Sequence, residues 1–400
     1  MRQLVLFGAG NIGRSFIGQI FAANGYEVVF VDINRRVIDE LNRRGSYNVV
    51  IKHPDGHDEI LTVAGVRGVD ASDTEQVART LADATIAATA VGAGALPAVA
   101  GLICEGLRLR RTVRPGEPLD VILAENVRDA ASLVARIVAE AADGSALLES
   151  LGLVQTSIGK MVPIVTAETS ERDPLVVFAE PYNTLIVDAR GFRAPVPNAP
   201  QIKAVDDIRA YVDRKLFLHN LGHAAVAYCA YRHDTRLVTI ADAVKVEPVR
   251  AAAHGAMEQA GAALAAAYPR SLTLTDLQAH RDDLLQRFAN QALGDTIHRV
   301  GRDLPRKLSR DDRIVGAMRL AVHHALPFDR IAHVYRAALG FLATDETGRP
   351  YPEDDRVVAM ARRRGTTAVL SEISGLRPGT PEDDAVIREV VSLPDTRPGR

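Results

Sequence analysis

LVLFGAGNIGRSFIG, residues 4–18, runs an apolar strand into a glycine-rich turn and on into a helix. Gly8, Gly10 and Gly13 make the pattern GxGxxG, which alone is weak because glycines cluster by chance in many loops. Its setting gives it weight. A strand precedes it, a helix follows it, and a second strand, VVFVD, ends in Asp32 at about the spacing a dinucleotide site requires. The first glycine permits the tight turn, the second lets backbone approach a pyrophosphate, and the third lets the helix pack on the strand. Backbone N–H groups of Asn11, Ile12 and Gly13 would face the phosphate charge. Asp32 would accept from ribose hydroxyls and repel a 2′-phosphate, which points to NAD, although Asn34, Arg35 and Arg36 follow closely. The competing explanation is a structural turn followed by a solvated aspartate.

Working outward, the chain has 400 residues, which favours two domains, and 47% of them are apolar, enough for each half to bury a core. A formal net charge of −2 argues against nucleic acid or a membrane surface as partner. Cys104 and Cys229 offer neither a disulfide framework nor a cysteine-rich metal site. No apolar run approaches the roughly 18 residues of a membrane span, and the opening LVLF suits a strand better than a signal peptide. These features describe a soluble, cytoplasmic protein with a small-molecule partner, acting as a monomer or small homo-oligomer.

The first half alternates strand-like and helical stretches. RSFIGQIFAANG reads as a helix closed by Gly25, and RRVIDELNRRG as an amphipathic helix ending at Gly45. TIAATAVG, LPAVAGLICEGLRLRR, LDVILAEN and RDAASLVARIVAEA continue the rhythm. The fold class is therefore α/β, a Rossmann-type, mostly parallel sheet. VVFAEPYNTLIVD, residues 176–188, suggests a late strand pair at the sheet's edge, and FRAPVPNAPQ, residues 192–201, a linker. Beyond it the pattern is helical, so the expected domains are 1–195, binding the dinucleotide, and 196–400, an all-helical substrate domain, with the active site in the cleft between them. The Arg-, Pro- and Gly-rich tail after Ser392 reads as mobile.

A second constellation lies in RKLFLHNLGH, residues 214–223. At about 100° per residue, Lys215, His219, His223 and Asn220 fall near 0°, 40°, 80° and 140°, one broad helix face. A desolvated lysine could take a hydroxyl proton, while Asn220 and His223 hydrogen-bond the developing alkoxide or carbonyl oxygen. A solvated lysine beside core Asn and His residues fits the spacing equally well. His219 and His223 also have the i, i+4 spacing of a zinc pair, but Asn220 stands where a glutamate is usual and no third ligand is near. No metal is therefore expected. The basic stretch RKLSRDDR, residues 306–313, could clamp a phosphate through Arg306, Lys307 and Arg310. It also reads as Ser309 and Asp312 capping the next helix.

Several stretches together resemble the polyol-specific long-chain dehydrogenase/reductases, the mannitol dehydrogenase family. They are FGAGNIGRSFIG, the AVG of 90–92 with EGLRLRR, AEN at 124–126, RKLFLHNLGHAAVAY, RVGRDLPRKLSRDDRIVG and TAVLSEISGL. The resemblance is to the phosphate-using branch. It implies a metal-independent, NAD-linked interconversion of mannitol 1-phosphate and fructose 6-phosphate. The family's catalytic lysine falls on Lys215, and its supporting residues on Asn220, His223 and Asn126. Where relatives carry an Asp-Arg pair in a VDRIVP-like segment, this chain has Gly159 and Lys160, and His219 replaces a residue that is usually not basic. Lys160 becomes a further candidate for the substrate phosphate. Relatives acting on free mannitol, fructuronate or tagaturonate mark the alternative substrates, and a non-enzymatic NAD-binding sensor is the alternative of another class.

Overall fold

A computed structural model of the chain describes residues 2–163, 165 and 167–394. From residue 395 on, the tail lies outside them. The strands are β1 (Arg2–Phe7), β2 (Tyr26–Asp32), β3 (Ser46–Lys52), β4 (Asp58–Ala64), β5 (Val66–Asp70), β6 (Ile86–Thr89), β7 (Leu119–Leu123), β8 (Leu151–Ser157), β9 (Val177–Ala179), β10 (Leu185–Asp188) and β11 (Ile202–Val205). Strand side chains alternate between faces, and here both faces are apolar. Leu4, Leu6, Val28 and Phe30 join Phe16, Ile17 and Ile20 in one buried cluster. Val5, Phe7, Val29 and Val31 join Val77, Leu81 and Ile103 in the other. A sheet buried on both sides by helices is the outcome those runs dictate.

The main sheet has the order β11-β10-β8-β7-β6-β1-β2-β5. Every pairing from β8 to β5 is parallel; β10 pairs antiparallel with β8, and β11 pairs parallel with β10, so these two strands run opposite to the rest. The six strands from β8 to β5 follow the doubly wound order in which ligands bind at the C-terminal strand ends. A smaller sheet, β4-β3-β9, stands beside it.

Two expectations about the late part of this unit need correction. Residues 176–188 do not make a strand pair: β9 joins β3 in the small sheet, whereas β10 joins β8 in the main one. Nor is 192–201 a free linker. Asp120, buried in β7, accepts from Arg193 N at 2.8 Å and Ala194 N at 3.1 Å, and β11 then pairs with β10. The chain accordingly divides at Met1–Val212 and Asp213–Arg400, later than the expected boundary near 195, because the sheet gains one more strand after the proline-rich stretch.

The second unit is helical. Its long elements include Leu221–His233, Glu247–Ala267, Leu274–Phe288, Asp329–Ala338 and Pro352–Arg364. Among its described residues only isolated bridges, Thr239 with Thr296 and Thr344 with Pro350, have strand-like pairing. Gly222 is there for packing: a Cβ would come 2.4 Å from Met257 Sδ, so its absence lets Leu221–His233 lie close on Glu247–Ala267. Among the described residues no helix is long and apolar enough to cross a membrane.

Candidate active site

The C-terminal ends of β2, β1, β6 and β7 are neighbours in the main sheet. After β1, Gly8 has φ +98°, and a Cβ there would fall 2.4 Å from the Ala90 carbonyl oxygen. A Cβ on Gly13 would fall 2.0 Å from the Gly8 carbonyl oxygen, so the helix can begin there only without a side chain. Gly10 differs: a Cβ would meet nothing within 4 Å, which leaves open ground for a pyrophosphate. Asn11 is exposed and Ile12 half-buried at the start of this helix. Asp32 holds the turn together, its carboxylate accepting from Ala9 N at 2.6 Å and Asn34 N at 2.8 Å. The adjoining Ile33 is 84% exposed, an apolar surface on which a purine could rest. These residues fit a dinucleotide.

Two buried charges that the sequence did not single out complete this end. Arg14 donates from Nε to the Ala9 carbonyl at 2.6 Å and from Nη1 to the Pro174 carbonyl at 2.8 Å, while Tyr47 Oη donates to the Arg14 carbonyl at 2.7 Å. Burial lowers the pKa of this guanidinium from its ordinary value. Glu125, just past β7, accepts from Val91 N at 2.9 Å and Gly92 N at 2.8 Å, fixing the loop after β6. The exposed Asn126 follows it. The signal available for Glu125 was a carboxylate placed directly after a fully apolar run.

In the second unit, Lys215–Asn220 is a π-helical turn that continues into the helix Leu221–His233. Hydrogen bonds from i to i+5 set residue i+5 above residue i. Lys215 and Asn220, about 140° apart on an ordinary helical wheel, thus come to one side. Burial, and secondly the Arg313 charge, lower the Lys215 pKa to about 8, with Asp312 opposing and Arg306 assisting. The buried His219 is held well below its ordinary pKa, first by desolvation and then by Arg287 and His223. His223 stacks on Phe288 at 4.7 Å and 7°, and its Nε2 lies 3.3 Å from Oδ2 of the buried Asp295. Arg299 pairs with Asp295 in turn. The rings of His219 and His223 are 6.3 Å apart and tilted by 52°; among the described residues no three His, Cys, Asp or Glu side chains are grouped to hold a metal ion.

The basic candidates separate. Arg306 stands in the electrostatic field of Lys215 and pairs with Asp303 at 2.5 Å and Asp312 at 3.5 Å. Arg313, the last residue of the same stretch, is buried and pairs with Asp312 at 2.7 Å. Lys307 and Arg310 are engaged in holding the chain. Lys307 Nζ donates to the Val300 carbonyl at 2.7 Å and also to that of Arg302, while Arg310 pairs with Asp383 at 2.7 Å. The Ser309 cap is not formed, because the helix Val315–His323 starts later, with Ile314 before it and no side-chain cap. Lys160, in the first unit, is buried, with Nζ 3.0 Å from Asn183 Oδ1 and 5.2 Å from the centre of the Phe16 ring. At Gly159 a Cβ would meet the Tyr182 ring at 3.6 Å, an ordinary contact, so space does not demand the glycine.

The first unit carries a glycine turn shaped for a dinucleotide, and the second carries a desolvated lysine with an amide and an imidazole on the same helical stretch; each is a feature found in nicotinamide-dependent dehydrogenases of CH–OH donors. The chain belongs to the mannitol dehydrogenase family, whose Rossmann-domain model matches residues 2–201 and whose C-terminal-domain model matches residues 207–392. As a member it is an oxidoreductase with NAD as cofactor. It is 34% identical over 390 residues to a mannitol-1-phosphate 5-dehydrogenase of Bacillus licheniformis, covering 96% of this chain and 98% of that one. Among solved structures, it shares its fold with a substrate-free D-sorbitol dehydrogenase (TM-score 0.73, 18% identity, 91% of this chain and 94% of the other). It is likewise similar to the Pseudomonas fluorescens mannitol 2-dehydrogenase in ternary complex with NAD and D-mannitol (TM-score 0.73, 16% identity, 98% and 92%).

Proposed function

We propose that this chain interconverts mannitol 1-phosphate and fructose 6-phosphate, with Lys215 as general base on oxidation and general acid on reduction. The observation that carries the chemistry is the desolvated Lys215, whose pKa near 8 lets one amine take and return a proton near neutrality. NAD, when bound, supplies the hydride acceptor. Neutral Lys215 Nζ takes the hydroxyl proton as the alcohol is oxidised, and the ammonium returns it to the oxygen when the ketone is reduced. Asn220, brought to the same side by the π turn, donates to the oxygen whose charge changes. His223 donates to a substrate hydroxyl, its ring fixed by Phe288 and Asp295. Asn126, in the loop after β7, is a further amide donor to substrate. No metal takes part. A cytoplasmic location accords with Cys104 and Cys229 both being free thiols.

The phosphate specificity rests on the similarity to the Bacillus enzyme along nearly the whole chain, and on Arg306 and Arg313 beside the lysine. Lys160 is the first unit's candidate. A phosphate held by two such groups is worth on the order of a hundredfold in efficiency. The test is NADH oxidation with fructose 6-phosphate, fructose, fructuronate and tagaturonate at equal concentration. Fructose 6-phosphate should be reduced about a hundredfold better than fructose. A hexuronate reduced faster than fructose 6-phosphate would remove the phosphate assignment and leave the lysine chemistry standing.

A further inference from the structure

With NAD taken as the cofactor, its ribose edge falls at the end of β2. Asp32 and Asp70 are register partners on β2 and β5, so two carboxylates stand side by side at the end of the sheet. Asp32 is engaged by the backbone of Ala9 and Asn34. Asp70 is fixed by Ser72, whose N and Oγ donate to Oδ1 at 2.8 and 2.7 Å. These two bonds, followed by the Arg35 charge, hold the Asp70 pKa below the usual carboxylate range. Its other oxygen accepts from Arg35 Nε at 2.8 Å, and Arg35 reaches Ser72 Oγ at 3.5 Å. The rest of Arg35 faces solvent, with 76% of its side chain exposed.

Arg35 comes three residues after Asp32, in the place from which an arginine can accommodate a ribose 2′-phosphate. A freely swinging guanidinium there would offset the repulsion from Asp32 and blur the choice between the two dinucleotides. Asp70 and Ser72 give that guanidinium a preformed partner instead. Arg36 is also directed elsewhere, donating to the Glu171 carbonyl at 3.0 Å.

We propose that Asp70 is a cofactor-specificity residue, holding Arg35 away from the ribose 2′ position so that the chain takes NAD and refuses NADP. The experiment compares NADH and NADPH binding, read by nicotinamide fluorescence on the full chain, for wild type, Asp70→Asn, Arg35→Ala and the double variant. Asp70→Asn should tighten NADPH about tenfold and leave NADH within about twofold, and the double variant should lose that gain. NADPH affinity unchanged in Asp70→Asn and in a second variant, Asp70→Ala, would overturn the proposal. A gain that survives removal of Arg35 would overturn it as well. NADH affinity in each variant reports that the fold is intact. Because no sugar is present, these failures leave the proposed reaction untouched, whereas wild type that binds neither dinucleotide would overturn the cofactor assignment itself.

Discussion

At the scale of single residues, Lys215 is where burial becomes chemistry. Its pKa is lowered from 10.5 to about 8, chiefly by desolvation. Oxidation needs the neutral amine, so its rate should rise with pH and level off above about 8, while reduction needs the ammonium and should fall over the same range. Lys215→Ala should lower turnover by about a hundredfold or more, yet leave NADH affinity near that of wild type, since the lysine acts on substrate. A flat pH profile together with surviving activity would remove its role. Stability has its own sign. The unfolded chain binds this proton more tightly than the folded one, so the lysine costs stability below pH 8 and the cost fades as pH rises towards 10.5. At neutral pH that cost is roughly 2–3 kcal/mol, so an inactive Lys215→Met variant should also melt at a higher temperature than wild type.

Among elements, the glycine turn was legible because steric demand leaves a mark in sequence, and the π turn was not, because no residue type demands one. Gly8, Gly13 and Asp32 could be read from spacing, and each has the close approach or hydrogen bonds that its place requires. Lys215, Asn220 and His223 could be nominated from a spacing that spreads them over one broad helix face, but the i to i+5 turn that narrows the angle between Lys215 and Asn220 could not. The β3–β4 hairpin went unread even though PDG at 54–56 is a turn signal, since it interrupts the alternation of strand and helix on which the reading of this half relied. Asp295 and Arg14 act through partners far away in sequence, which one chain read in order does not reveal. The glycines give a paired prediction. Gly13→Ala would press a Cβ into the Gly8 carbonyl, costing roughly 1–3 kcal/mol in chemical unfolding along with NADH affinity. Gly10→Ala meets no protein atom, so it should unfold like wild type and still bind NADH more weakly. Equal loss of stability in both would show that Gly10 is not reserved for the cofactor.

For the whole molecule, the question is where one folding unit ends and the next begins. Proline and glycine content drew the expected boundary near 195, a composition rule that cannot see a carboxylate such as Asp120 pinning the proline-rich stretch to the sheet. The strand after it, β11, satisfies the outer edge of β10 along Leu185–Asp188. Val205 and Ile208 then cover Ile186, with Tyr211 and Val212 packed against them. Asp213 belongs to the other side, its carboxylate accepting from Tyr268 Oη at 2.5 Å. We therefore expect a fragment of residues 1–212 to fold and to bind NADH within about threefold of the full chain, since every residue of the proposed grip is inside it. A fragment of residues 1–195 keeps the same grip but leaves β10 as an open, apolar edge without its partner strand, the arrangement that pairs with other chains. It should aggregate, as size-exclusion chromatography of the two fragments side by side would show. If the shorter fragment is as soluble and binds NADH as well as the longer one, the first unit is complete without β11, and the earlier boundary is the better description.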